Sequence, residues 1–92
     1  MRDTERLARS GYAYLCVIQD GEKTAERYRK SANGVLLQLD IWSRNDIDLI
    51  IQGKDIFKGG TFTTVKKAIA AGEAWLAERA KERKAQKEAT NV

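Results

Sequence analysis

The sequence predicts an α+β fold: a small antiparallel sheet of four strands with one long C-terminal helix packed on one face. Three observations carry this. From Thr63 the chain reads TTVKKAIAAGEAWLAERAKERKAQKEA, a helix-forming stretch with no proline to interrupt it. Before it come short apolar or alternating segments punctuated by Asp-Gly, Asn-Gly and other turn residues. No second long helical pattern occurs, so a single helical layer must cover the sheet.

Taken in order, residues 1–10 are polar and either form a short helical turn after Asp3 or Thr4 or fray as a terminus. Residues 12–19 alternate as a strand with apolar side chains on both faces: Tyr12, Tyr14, Cys16 and Ile18 against Ala13, Leu15 and Val17. Asp20-Gly21 turns the chain, because glycine accepts positive φ and aspartate tolerates it. Residues 23–30 return as a highly charged strand whose composition suits a sheet edge, and Asn33-Gly34 is a second turn of the same kind. Residues 35–42 form the clearest strand, with Val35, Leu37, Leu39 and Ile41 on one face and Leu36, Gln38, Asp40 and Trp42 on the other. After a turn over residues 43–46, residues 47–52 place Ile47, Leu49 and Ile51 on one side. Gly53-Lys54-Asp55 turns again, and Ile56-Phe57 can add a short fifth rung before Gly59-Gly60.

Thr63 or Thr64 is the expected N-cap. Val65, Ala68, Ile69, Gly72, Leu76 and Ala80 recur at helical spacing and form the expected buried stripe, with Trp75 at its border. Gly72 costs about 1 kcal/mol relative to alanine inside a helix, and close approach of helix to sheet would explain it. One domain spans residues 1–92: a sheet over 11–60, a packed helix over 63–80, and a polar segment 81–92 that is either helical extension or disordered tail.

Composition narrows the function classes. Net charge is +4, spread as +2 over residues 1–34, −1 over 35–61 and +3 over 62–92. A balance this mild tolerates anionic partners without demanding them. Cys16 is the only cysteine, so no intramolecular disulfide forms, which fits a reducing cytosol, and its expected role is that of a small core residue. The apolar run 12–18 is too short to span a bilayer, and the N-terminus lacks a signal-peptide apolar region. A soluble, cytoplasmic protein without membrane association is expected. With no histidine and one cysteine, the usual metal centres and the commonest general base are missing, and no nucleotide-binding or nucleophile motif occurs. Asp40, Asp46, Asp48 and Asp55 are read as strand-end and turn acids that cap or meet solvent. The expectation is a non-enzymatic protein with no cofactor and no metal, acting through its surfaces.

Three surfaces are candidates. Lys58, Lys66 and Lys67 flank the Gly59-Gly60 turn and the helix start, where free amides could hold a phosphate or an acidic side chain. The same residues also read as a plain turn with solvated lysines. Lys23, Arg27, Arg29 and Lys30 with Tyr28 interleave cations with an aromatic, as a phosphate backbone or exposed base would require. As edge charges they would equally prevent aggregation. Leu36, Trp42 and Ile50 fall on the sheet face that one helix leaves uncovered, and form either an interface or a second small core under the N-terminal segment, which Leu7 could reach.

Two resemblances add to this. KGGTFTTVKKAIAAGEAWL resembles the sheet-to-helix junction of AP2-like and integrase arm-type DNA-binding domains, which implies a sheet face docked in a DNA groove. As a whole, the short, motif-free sheet-and-helix chain is similar to phage and mobile-element accessory proteins, among them anti-CRISPR inhibitors. That resemblance implies a phage-encoded protein in the host cytoplasm, monomeric or homodimeric, that masks a surface of a nucleic-acid-processing complex such as a CRISPR effector. The alternative expectation is a small DNA- or RNA-binding module using the sheet face together with Lys66 and Lys67.

Overall fold

A computed structural model describes residues 2–54 and 56–90, with side-chain placement as far as Glu82. The chain order is α1 (Asp3–Arg9), β1 (Ala13–Asp20), β2 (Lys23–Ala32), β3 (Val35–Ser43), β4 (Asp46–Gln52), β5 (Phe57–Phe62) and α2 (Val65–Thr90). The five strands form one antiparallel sheet in chain order, β1-β2-β3-β4-β5, with both helices on the same side.

Local chemistry explains the reversals. Asn33 and Gly34 both take positive φ (52° and 78°), as a two-residue hairpin loop between paired Ala32 and Val35 requires. Paired Asp20 and Lys23 close the first hairpin, so the loop residues are Gly21 and Glu22, with Gly21 at positive φ. The helix α1 ends in a Schellman motif: the Gly11 amide donates to the Ala8 carbonyl (3.1 Å) and the Tyr12 amide to the Leu7 carbonyl (2.9 Å). That motif aims Leu7 and Tyr12 into one core. The helix α1 is therefore an integral element, and Leu7, 1% exposed, packs in the core on the helix side rather than on the uncovered face.

The core joins Leu7, Tyr12 and Tyr28 to Val35, Leu37, Leu39, Ile47, Leu49 and Ile51 from the sheet and to Val65, Ala68, Ile69 and Leu76 from α2. In α2, Thr64 is the N-cap, its Oγ1 accepting the Lys67 amide at 3.1 Å. The expected stripe is buried from Val65 through Leu76, with Trp75 half-buried at its border, whereas Ala80 is exposed because the helix has by then run past the sheet. Gly72 is a point of close approach: a Cβ there would lie 3.0 Å from Leu37 Cδ2 and 3.2 Å from the Tyr12 hydroxyl. The helix continues to Thr90, through most of the segment read as extension or tail.

Two expectations are corrected, and a strand whose place the sequence left open, β1, is located. The charged strand β2 is second of five, not an edge, because its cations find partners on neighbouring strands. The apolar strand β1 is an edge, with Tyr14, Leu15 and Val17 exposed, because α2 packs over β3, β4 and β5 and leaves β1 outside its cover. The fifth rung is a full six-residue strand that includes Gly59 and Gly60, which pair with Ile50 and Leu49 instead of forming a turn.

Candidate functional site

Strand alternation sorts the predicted site residues onto opposite faces of the sheet. Tyr28 packs in the core, so the even-numbered residues of β2 face the helices and Lys23, Ala25, Arg27 and Arg29 face the other way. The patch that joins Tyr28 and Lys30 to Arg27 and Arg29 in the sequence is therefore divided. The Tyr28 hydroxyl donates to Glu26 (3.1 Å), and the Lys30 ammonium lies 5.5 Å from the centre of the Tyr12 ring, both on the helix side. Burial, with the Glu26 hydrogen bond second, pushes the Tyr28 phenol above its ordinary value.

Lys58 is exposed on β5 opposite Ile51, and so also faces the helix side. Lys66 and Lys67 are exposed at the start of α2, on the far side of the sheet from Arg27 and Arg29. One of the helix-start amides is already satisfied by Thr64. The sheet face and the basic helix start do not form one surface.

The uncovered face brings the remaining candidates together and adds residues the sequence reading assigned elsewhere. One cross-strand row runs Cys16, Arg27, Asp40, Asp48, Thr61; the next runs Ala13, Arg29, Gln38, Ile50, Gly59. Asp40 and Asp48 stand directly opposite each other, an arrangement that by itself destabilises a strand pair. Each is held by different donors, and only Asp40 has a cation among them. Asp40 accepts a two-pronged bond from Arg27 (Nε to Oδ1 2.8 Å, Nη2 to Oδ2 3.0 Å) and a longer contact from Gln38 Nε2 at 3.4 Å. Gln38 in turn accepts from Arg29 Nε at 2.9 Å. Asp48 accepts from Trp42 Nε1 at 3.1 Å and from Thr61 Oγ1 at 3.0 Å.

These bonds reverse the expectation that Asp40 and Asp48 sit at strand ends in solvent. Both are mid-strand, and Asp40 is only 3% exposed although no helix covers it. Planar guanidinium and carboxylate groups meeting through two bonds resist rearrangement better than single contacts. The Arg27 guanidinium is held in its charged form, above its ordinary value, chiefly by the hydrogen bond to Asp40. Asp55 lies outside the described residues.

Apolar residues border this polar band. Leu36, Trp42 and Ile50 are half-buried on the same face, and Phe57, paired with Gln52 at the end of β5, is 76% exposed. Cations and carboxylates nearly balance: Lys23, Arg27 and Arg29 against Asp20, Asp40, Asp46 and Asp48. Asp20, Lys23, Trp42, Asp46 and Asp48 line a shallow depression at one end of the face. Among the described residues no group of three metal-ligating side chains converges, and no helix is long and apolar enough to cross a membrane.

The signal for Gln38, Asp40 and Asp48 was present in the sequence. Polar residues at alternate positions inside two otherwise apolar strands share the face of Leu36, Trp42 and Ile50. Their partners were not legible, because Arg27 and Thr61 each lie thirteen positions away from the carboxylate they bind.

Comparison with known proteins finds no family model, no curated protein and no solved structure that matches the chain. What can be said of its class is the α+β architecture itself, a five-stranded antiparallel meander with its helices on one side.

Proposed function

We propose that the protein is a non-catalytic binding protein whose uncovered sheet face docks on a protein partner. The observation that carries this reading is the interlocked band Arg29, Gln38, Asp40, Arg27 beside Trp42, Asp48, Thr61, set among Leu36, Ile50 and Phe57. A surface whose polar side chains are already held in place loses little side-chain freedom on binding. A half-buried tryptophan and flanking aliphatic residues are what the centre of a protein interface uses. The near balance of charge on this face favours a protein partner over a phosphate backbone, which rewards unpaired cations. The narrowest form of the reading is an inhibitor of anti-CRISPR type that masks a surface of a host nucleic-acid-processing complex.

The test is capture of partners by tagged protein from bacterial lysate, with and without nuclease. The expected outcome is a nuclease-resistant protein partner that is lost with Leu36→Glu or Ile50→Lys and kept with Lys66→Glu and Lys67→Glu. Recovery of nucleic acid alone, or a partner indifferent to the face substitutions, would overturn the assignment.

A further inference from the structure

The two edges of the sheet are built differently. Strand β5 is short and carries Lys58 and two glycines, features that discourage pairing with another strand. Strand β1 carries none of them. From Ala13 to Gln19 it has no charge, no proline and no glycine, and Tyr14, Leu15 and Val17 are 55%, 47% and 58% exposed. The one guarding feature it has is a bulge between Tyr14 and Cys16; an uncharged apolar edge of this length is otherwise a template for another strand.

The β1 bulge selects the partner. Pairing with β2 shifts register between Tyr14 and Cys16, so the alternation of faces reverses there. Tyr12 and Tyr14 face the helices before the bulge; Val17 and Gln19 face that side after it. Ala13 faces the uncovered side before it, and Cys16 and Ile18 after it. Read from either end, the order of faces is the same. A second copy laid antiparallel along this edge, with Tyr14 opposite Val17 and Ala13 opposite Ile18, matches face to face at every one of these positions, whereas a regular strand would not in that register.

This register sets Asp20 of each copy opposite Gly11 of the other, where no side chain stands in the way.

We propose that β1 is the seam of a two-fold symmetric homodimer, in which the two sheets join edge to edge with all helices on one side. The joined sheet has ten strands, and the two uncovered faces become one continuous surface. A strand seam with three exposed apolar side chains per copy belongs to the small end of interface sizes, so association is reversible.

Cys16 reports on the seam directly. Pairing of Leu15 with Cys16 places the two Cys16 Cα atoms about 6 Å apart, from the strand spacing and residue rise, within disulfide reach. The experiment is light scattering coupled to size exclusion across a concentration series, with mild oxidation of the same samples. The expected result is a mass rising toward twice the monomer and a Cys16-linked dimer. Val17→Lys should raise the dimer dissociation constant about tenfold or more and abolish the crosslink while leaving the circular dichroism spectrum unchanged; Leu15→Lys serves if that variant misfolds. In the unsubstituted protein, exchange of the amides of residues 13–19 should slow as concentration rises. A monomer throughout the series, open-ended oligomers, or a crosslink as strong in Val17→Lys as in the original would each overturn the proposal.

Discussion

Tyr12 shows how one side chain couples the parts of this molecule. It follows the positive-φ Gly11, takes its direction from the Schellman turn, packs beside Gly72 of α2 and supports the Lys30 ammonium on its ring. Burial, with the charge of Glu73 second, pushes its phenol up to about 12 from 10.0. The phenol is neutral in both states below pH 10, so its contribution to stability is fully present there. Between pH 10 and 12 only the unfolded chain ionises, and stability falls as pH rises. The fall amounts to about 2–3 kcal/mol. Tyr12→Phe should flatten this alkaline limb, measured as denaturant midpoints from pH 9 to pH 12; an unchanged slope would mean that Tyr12 does not carry it. At the same scale the uncovered face was half legible. Leu36, Trp42 and Ile50 follow from alternation alone, whereas the pairing of Arg27 with Asp40 depends on the register of two strands.

Among elements, α2 is where sequence and packing pull in opposite directions. Helix propensity alone makes Gly72→Ala stabilising by about 1 kcal/mol. Packing opposes it, since the added methyl meets Leu37 Cδ2 at 3.0 Å and Leu37 is fully buried. Overpacking of a filled core costs about 1–3 kcal/mol, so Gly72→Ala should lower stability, by about 1 kcal/mol net. A gain in thermal midpoint would show that helix and sheet can separate slightly without loss. The glycine was recognisable as a contact point from its place on the apolar stripe; its partners on β3 and α1's exit turn were not. Gly59 and Gly60 mislead in the opposite sense. In sequence they read as a turn, but at an edge a glycine pair can sit in a strand, held by its ladder with Ile50 and Leu49.

For the whole molecule, Leu7 decides whether the N-terminal helix is appendage or part of the fold. It is 1% exposed and shares one cluster with sheet and α2 residues. Leu7→Ala should therefore cost about 2–4 kcal/mol, read from chemical denaturation, with unfolding still a single transition. A loss near zero would make α1 a loose appendage. The overall shape, 56 Å in its longest dimension, reflects a helix that outruns the sheet it packs on. Helical cover is centred on β3, β4 and β5, which leaves one whole face and the β1 edge available, and both proposals rest on those two surfaces.

By itself the sequence determined the α+β class, the hairpin turns, the N-cap of α2 to within one residue, its buried stripe as far as Leu76 and the division of β3 and β4 into two faces. All of these follow from short-range physics: backbone preferences at Asn33-Gly34 and Gly21, and the periods of strand and helix. Only the tertiary structure decided that charged β2 is internal and apolar β1 an edge, that Leu7 joins the main core, and that Asp40 and Asp48 anchor a hydrogen-bonded band. Those outcomes depend on which strands become neighbours and where the helix lies across them. That choice is made by pairing and packing between segments far apart in sequence, such as Arg27 with Asp40 and Leu7 with α2, and no local segment encodes it.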